Sequence, residues 1–484
     1  MMKTSPFSRT LAVAALAALA GCANVDVRTP AATTRDIGSL GVAAAAIDWP
    51  REEWWHRYQD PQLDQLMTEA LAGSPSLTIA RGRLARAGAA AGVARAALLP
   101  QVSGNGAITY QRFSENYIFP PPLAGNWWTD NRLTLDFSYE IDFWNKNGAA
   151  LEAALSQAQA AAADEQQARV MLTTSMAQAY FNLQRLFAQR DVSLAAITQR
   201  EDVVRITGQR FGAGLDTRIE VKQAEAALAT VRTELAQYNG AISAGRNQVA
   251  ALAGAGPDRG EAVVARIDAT RQIAARPAAV PLDLLGHRPD VVASRWRIEA
   301  ARRDIEVAKA QFYPNVNIAA FAGLSSLGLS NFLLAASSIA GVGPAIHLPI
   351  FEGGRLNANL RGRDADADIA VGTYNQAVIE AVHEVADVLS GMDGLAKVRV
   401  EQAIAREATT DAYNTAVIRY RAGLGNYLTV LTAQTQQLVQ DRLDADLHAR
   451  AFELDVGLVR ALGGGFTDLP PVNVSAAPAT TAAR

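Results

Sequence analysis

Between Gly148 and about Phe211 the chain contains no proline and only one interior glycine, Gly208. The stretch is rich in Ala, Gln, Glu and Arg, residues that cost little in a helix. At 1.5 Å per residue, a helix over this span would be roughly 95 Å long. No compact core can hold such a rod along its whole length. The apolar residues instead follow a heptad. Met176, Leu183, Ile197, Val204 and Phe211 share one seven-residue register, and Tyr180, Phe187 and Leu194 share its companion, with Arg190 and Glu201 interrupting the seam. The next segment repeats the habit, with Leu228, Leu235, Ile242 and Val249 in step and Val231, Tyr238 and Leu252 beside them. Heptads kept over this range predict helices packed side by side, as in a coiled coil.

The chain also repeats itself, with a period of ~210 residues, far longer than a solenoid unit. The segment RLARAGAAAGVARAALLPQV (83–102) answers RIEAARRDIEVAKAQFYPNV (297–316), and RFGAGLDTRIEVKQA (210–224) answers RYRAGLGNYLTVLTA (419–433). Each half reads helix, proline, strand, loop, strand, long helix, Ala-Gly-Leu turn, helix. The second long helix is expected from about Gly354 to Arg421, with Val378, Val385 and Met392 on its seam. Its partner carries Leu431, Leu438, Phe452 and Val459 in step.

Four strands follow from this order, at about 101–112, 133–144, 315–324 and 340–351. The second, LTLDFSYEIDFW, alternates without a fault. Leu133, Leu135, Phe137, Tyr139, Ile141 and Phe143 point one way, and Thr134, Asp136, Ser138, Glu140 and Asp142 the other. In the fourth strand Val342, Ile346, Leu348 and Ile350 share a face and His347 lies opposite. The length suits a tilted strand crossing a bilayer, which needs ~9–11 residues. The acids would then line water while the apolar face meets lipid. Four strands cannot close a barrel, because the smallest single-chain barrels have about eight. An open edge in lipid would leave backbone groups unpaired. Membrane strands therefore require several chains to share one barrel, and three chains give twelve strands.

The N-terminus agrees with an envelope location. Lys3 and Arg9 precede an apolar run from Leu11 to Ala20, too short to span a membrane as a helix and typical of a secretory signal. The run ends in Leu19-Ala20-Gly21-Cys22, which resembles a bacterial lipobox and implies cleavage before Cys22 and acylation of that residue. Ala23, where an inner-membrane lipoprotein would carry Asp, favours the outer membrane. Cys22 is the single cysteine, so there is no disulfide framework.

Other chemistry finds little support. A net charge of −3 over 484 residues gives no sign of nucleic-acid binding. The run HEVAD (383–387) lacks the second His of a metalloprotease helix and reads as a solvated helix face. The run DADAD (364–368) has Ile369 where a calcium loop needs Gly and Asn375 where it needs the bidentate Glu. No glycine-rich phosphate loop occurs, and five His and six Met are scattered. The chain is expected to be no enzyme and to use no metal or cofactor beyond the lipid on Cys22.

The residues at the junctions resemble one known family. DFWNKNG (142–148) and LPIFEGGRL (348–356) stand where strands become long helices. HRPDVVASRWRIEAA (287–301) is similar to an Arg-Pro-Asp helix start, AQFYPNV and AALLPQV precede strands, and RYRAGLGNYLTVLTAQ (419–434) resembles a helical tip. Together they resemble outer-membrane efflux proteins of the TolC type, most of all the lipidated NodT/OprM branch, from Trp54 to Gly463. Asn145 departs from the pattern, where relatives often carry Gly. The resemblance implies a mainly α fold with a membrane β-barrel part. Three chains would share a twelve-stranded outer-membrane barrel and a periplasmic α-helical barrel, fed by an inner-membrane pump of the RND type through a periplasmic adaptor. Asp136, Glu140, Asp142 and His347 would then line the pore.

The turns Ala213–Leu215 and Ala422–Leu424 reverse the chain, as Gly allows. The resemblance implies that Gly214, Leu215, Gly423 and Leu424 also dock the adaptor. Arg210 and Arg419 beside them are either tip salt-bridge partners or ordinary cationic residues at helix C-termini. The nearest acids are Asp216 and Asp411, neither a clear match to the family's acidic constriction. The expected organisation is a signal peptide (1–21), a lipidated arm (22–50), two repeats (51–260 and 261–465) and a disordered tail (466–484). The expected function is a passive export duct for small toxic molecules. The competing readings are a coiled-coil envelope spacer or adhesin without conduction, and the exit duct of a type I secretion system.

Overall fold

The computed structural model describes residues 31–35, 49–266 and 286–467. Cys22, the signal segment, most of the arm and nearly all of the tail lie outside the described residues. After a short 3-10 turn (Trp54–Tyr58) come α1 (Pro61–Gly73), α2 (Pro75–Ala96), β1 (Gln101–Arg112), β2 (Trp127–Ile141), α3 (Lys146–Gly212), α4 (Arg218–Leu252) and the short α5 (Pro257–Glu261). The second half brings α6 (Pro289–Ala310), β3 (Asn315–Leu327), β4 (Ser338–His347), α7 (Arg355–Arg421) and α8 (Tyr427–Ala461). The halves match in length. Helices α2 and α6 have 22 residues each, α3 and α7 have 67, and α4 and α8 have 35. A 67-residue helix is about 100 Å long.

Local chemistry fixes the ends of these helices. Proline opens α1, α2 and α6 at the first helical position, where its missing N–H costs nothing. Asp60 caps α1 by accepting from Gln62 N (3.0 Å). Thr217 and Glu220 form a capping box on α4, and Asn426 accepts from Thr429 N (3.0 Å) on α8. Asn145, the residue before α3, has φ 55°, a left-handed conformation that Asn tolerates and Gly adopts freely. That explains why Gly suits the position. Its counterpart before α7 is Gly354, at φ 85°.

The four strands form one antiparallel meander in the order β1-β2-β3-β4. β2 runs from Trp127, six residues earlier than the alternation indicates, and stops at Ile141. Its early residues, two Trp followed by Thr, Asp, Asn and Arg, do not alternate, so they carry no period. It ends where the Asp142 carboxylate turns to accept Gly148 N (2.7 Å), which starts α3. β4 likewise ends at His347, before Pro349, so Leu348 and Ile350 lie beyond the strand.

The main apolar core lies midway along α3. Trp54, Trp55, Tyr58, Leu63, Leu66 and Met67 pack there on Met176, Tyr180, Phe181, Leu183 and Phe187, with Val249, Phe452, Val456 and Val459 closing it. Polar bonds tie the same belt. The Tyr180 hydroxyl donates to Asp60 Oδ2 (2.5 Å), the Tyr58 hydroxyl donates to Asp455 Oδ2 (2.5 Å), and Gln184 holds both Val264 O and Arg266 N (3.0 and 2.9 Å). Above the belt each level carries α2, α3, α6 and α7. Below it each level carries α3, α4, α7 and α8. The heptad seam of α3 is fully buried through the belt and more open toward the tip, where Phe211 is 48% exposed. Glu201, which interrupts the seam, pairs with Arg232 of α4 (2.7 Å).

Candidate functional site

Two parts of the molecule stand out, one at each end. The first is the sheet. Register places Gln101, Ser103 and Asn105 of β1 opposite Ser138, Asp136 and Thr134 of β2, and Asn317 of β3 opposite Glu140, so this face is polar along β1 and β2, with Ala319 and Phe321 of β3 among the polar groups. Asp136 accepts from Asn105 Nδ2 (2.7 Å) and Thr134 Oγ1 (2.8 Å). Glu140 pairs with Lys146 at the start of α3 (2.5 Å). His347 closes β4 opposite Asn315 on this same face. Asp142 stands just past the strand, with its carboxylate engaged by the helix start. Thus Asp136, Glu140 and His347 share one sheet face, and Asp142 sits at its rim. Glu140, Asp142 and His347 line a common cleft of about 230 Å³ between the sheet and the helix starts.

The opposite face is apolar. Val102, Ile108, Leu133, Leu135, Val342 and Ile346 project from it and are exposed in the single chain. In β2 the outward apolar run from Leu133 to Ile141 is about 26 Å long at 3.3 Å per residue. Above it the outward face turns polar at Asn131, whose amide donates to Ser326 O (3.4 Å). Stacked aromatic pairs bracket the band, with Tyr110 on Trp127 (5.1 Å) at the loop end and Trp144 on Tyr313 (4.5 Å) at the helix end. An apolar band between aromatic girdles is the pattern of a barrel wall in lipid. Among the described residues no helix is long and apolar enough to cross a membrane.

The second site is the pair of hairpin tips. Gly214 has φ 73° and Gly423 φ 77°. In each turn the last helical carbonyls are taken up in a Schellman pattern. Gly214 N donates to Phe211 O (3.0 Å) and Leu215 N to Arg210 O (2.9 Å), with Gly423 N to Tyr420 O (3.1 Å) and Leu424 N to Arg419 O (2.8 Å) as their counterparts. The turns push Leu215 and Leu424 outward, 65% and 70% exposed.

The two arginines part ways. Among the described residues Arg419 donates only to Leu424 O of its own turn, at 3.4 Å. Arg210 grips Asp216 with two nitrogens (2.9 and 3.2 Å) and reaches across to Tyr420 O (3.1 Å) on the other hairpin. Its guanidinium lies 4.6 Å from the Tyr420 ring centre. The Tyr420 hydroxyl donates to Asp216 in turn. Burial raises the Asp216 pKa, but the bonds from Arg210 and Tyr420 outweigh it and hold the carboxyl below its usual range. Burial and the bond to Asp216 push the Tyr420 hydroxyl well above its ordinary value. Asp216 and Tyr420 thus join the two hairpins of one chain. Asp411 has no part in this lock. A signal for the lock exists in the repeat, because its two key positions are where the halves differ: Phe211 answers Tyr420, and Gly425 answers Asp216.

Sequence reasoning also missed the use made of the Arg-Pro-Asp start. Arg288 is buried and donates to Asp290 (2.7 Å), to Glu384 of α7 (2.8 Å) and to Ala461 O at the end of α8 (3.0 Å). Glu384 also takes Arg460 (2.8 Å). Glu384 is therefore a clamp between helices, whereas its neighbour His383 is exposed as a solvated face requires. Asp368 of the DADAD run accepts from Ala32 N (2.9 Å), and Asn375 from Arg35 N (2.8 Å). No cluster of potential metal ligands occurs among the described residues.

A lipid-facing band on a four-stranded sheet, set on helices of this length, invites comparison with known envelope channels. The profile of the family described as "Outer membrane efflux protein" matches residues 66–255 and 280–464. The chain belongs to this family. It is 39% identical over 376 residues to the fusaric acid resistance protein FusA of Burkholderia cepacia, covering 75% of this chain and 71% of that protein. It is 31% identical over 441 residues to the multidrug resistance outer membrane protein MdtP of Escherichia coli K12, covering 88% and 89%. The crystal structure of the outer membrane protein VceC from Vibrio cholerae superposes with a TM-score of 0.80 at 39% identity, covering 86% of this chain and all of that one. The protein is therefore an outer-membrane efflux channel subunit, with the helical-barrel and β-barrel fold of its relatives. Members of this family are conduits and not enzymes. Neither the fold nor the relatives favour the spacer or the secretion-exit reading.

Proposed function

We propose that three copies of the chain form one duct through the outer membrane and the periplasm. The observation that carries this is the sheet's two free edges. β1 and β4 each pair on one side only, while the face they share is built for lipid. Each unpaired backbone group in hydrocarbon costs several kcal/mol. Joining β4 of one copy to β1 of the next removes every edge, and three copies of a four-stranded sheet give twelve strands. Four helices per chain at every level then give twelve around the tunnel. Mass measurement of the purified protein in detergent tests the reading. A trimer is expected, and a stable monomer that inserts into bilayers overturns it.

In this duct Asp136, Glu140 and His347 line the lumen, with Asp142 at its lower rim. The tips, Gly214, Leu215, Gly423 and Leu424, dock a periplasmic adaptor that couples the duct to an inner-membrane pump of the RND type. Arg210 belongs to the closure of the tip and Arg419 to its flank. The repeats 51–260 and 261–465 supply equivalent parts of the wall. The cargo is small toxic molecules, in line with the fusaric acid and multidrug resistance of the relatives. A deletion strain tested for drug susceptibility checks this, and unchanged susceptibility to every compound that the cognate pump expels counts against it.

Acylation of Cys22 fits the path of the arm. Residues 32–35 follow α7 from Asp368 to Asn375, away from the sheet, and Trp49 then stacks on His287 at 3.8 Å. Asp368 lies 13 residues below the start of α7, about 20 Å from the sheet end. The ten residues from Cys22 to Ala32 can span up to about 35 Å, enough to reach the membrane. Labelling with a fatty-acid analogue should mark the wild type and not Cys22→Ser.

A further inference from the structure

Arg200 is a buried charge that none of the contacts above uses. It lies on α3, ten residues before Arg210 and so about 15 Å along the axis. There α3 faces α8 in the seam between the two hairpins. It is 7% exposed, its Nε has no hydrogen-bond partner, and no carboxylate pairs with it among the described residues. The acids around it are engaged elsewhere. Glu234 is held by Arg442 (3.2 Å to Nη1), Glu201 by Arg232 (2.7 Å) and Asp202 by Arg205 (3.0 Å). Arginine does not shed its proton at any physiological pH. Its Nε is shut off from water with no carboxylate against it, which is unfavourable for a charged group.

The seam holds more unsatisfied polar atoms. The register is set by Gln189 Nε2 donating to Arg442 O (3.0 Å) and by Ala196 clustering with Leu438. It brings Gln434 and Gln437 of α8 within about one helical turn of Arg200. Both are buried; the amide oxygen of Gln437 has no partner, and the amide nitrogen of Gln434 has none but the neighbouring Tyr413 hydroxyl. Tyr413 and Tyr427 are buried beside them and act electrostatically on the guanidinium. Burial lowers the Arg200 pKa, and Tyr427 and Glu234 raise it only in part.

We propose that this seam binds a small monovalent anion of the size of chloride, held by Arg200 and the Gln434 amide, with water on Gln437. The set offers one permanent cation, an amide N–H and hydroxyls, and no free carboxylate. Val203 and Val430 belong to the apolar cluster just below, so the polar set is bounded by apolar side chains on that side. The ion bridges α3 to α8 and supplies the counter-charge that the chain itself does not.

Crystals of the full-length trimer grown in sodium bromide test it at the bromine edge. An anomalous peak beside Arg200 is expected in every protomer and should vanish in Arg200→Met. In solution, amide exchange over residues 197–207 should slow several-fold when gluconate is replaced by chloride at equal ionic strength, and the variant should show no difference. If Arg200→Met does not assemble, Gln434→Leu keeps the test open, with reduced bromide occupancy expected. Absence of the peak in the wild type, or its persistence in Arg200→Met, overturns the proposal. A wild-type peak without any chloride dependence in solution marks an adventitious ion only, and overturns it as well.

Discussion

Replacing Asp216 by Ala should loosen the tip of the channel without unfolding it. The carboxylate accepts two bonds from Arg210 and one from Tyr420, and both partners of the ion pair are mostly covered, at 10% and 14% side-chain exposure. The Arg210–Asp216 pair lies within one hairpin. What crosses to the other is the Tyr420 hydroxyl bond, the Arg210 bond to Tyr420 O and the guanidinium over the ring. A hydrogen bond to a charged group contributes about 1.5–3 kcal/mol, and the cation–π contact about 0.5–2 kcal/mol. Removing Asp216 abolishes the first and frees Arg210 to swing away from the other two. Bulk water is close to the hairpin end, so screening favours the low end of each range. The loss between hairpins is then about 3 kcal/mol, or roughly a hundredfold in the closed-to-open ratio at 1.36 kcal/mol per tenfold. Single-channel recording in planar bilayers reads this as a rise in open probability or conductance. Tyr420→Phe keeps the ring and loses one bond, so its effect should be about 1–2 kcal/mol, on the order of tenfold. Wild-type closure in Asp216→Ala, with the trimer intact, would refute the idea that this cluster holds the hairpins together.

The same lock sets a pH window. The folded Asp216 pKa is depressed, so its stabilisation is present above the unfolded carboxylate value of about 3.9 and is lost only as pH falls through the lower folded value. Closure should therefore be unchanged between pH 5 and 8, and conductance that rises between pH 7 and 5 would contradict it. On the sheet, Leu135→Arg should cost about 2–4 kcal/mol and impair insertion, whereas Asp136→Asn should assemble normally and lower cation preference in bilayers. Equal insertion of both variants would undo the assignment of faces. At the tips, Leu215→Asp with Leu424→Asp should abolish cross-linking to the adaptor and restore drug susceptibility while leaving the trimer intact. These leucines make a cleaner test than the glycines beside them, because any side chain at φ near 75° strains the turn itself. In the equatorial belt, Asp455→Ala should destabilise the protein by about 1–3 kcal/mol, since the buried Tyr58 hydroxyl loses its acceptor and the partly exposed Arg57 its partner. A melting temperature equal to the wild type would speak against that role.

Much of the architecture was written in local pattern. Helix α3 needed only the absence of breakers and a heptad. β1 was legible to the residue from its place between Pro100 and the loop, and the faces of β2 from period-two alternation between Leu133 and Ile141. These features depend on neighbours in the chain, and the sequence displays neighbours directly. The ends of β2 and β4 were not legible, because a strand stops where a side chain such as Asp142 finds a better use, and that use lies in the next element. The same limit hid the lock of Arg210, Asp216 and Tyr420, whose members meet across 204 positions. It hid the clamp of Arg288 on Glu384 and Ala461, too. The repeat shows that the halves correspond. Only the packing of one hairpin on the other decides that a Tyr opposite a Phe, and an Asp opposite a Gly, become the bond between them. Chain proximity sets periodicity and turns, whereas the pairing of charges depends on which helices share a seam, and that is fixed by the burial of all the seams at once.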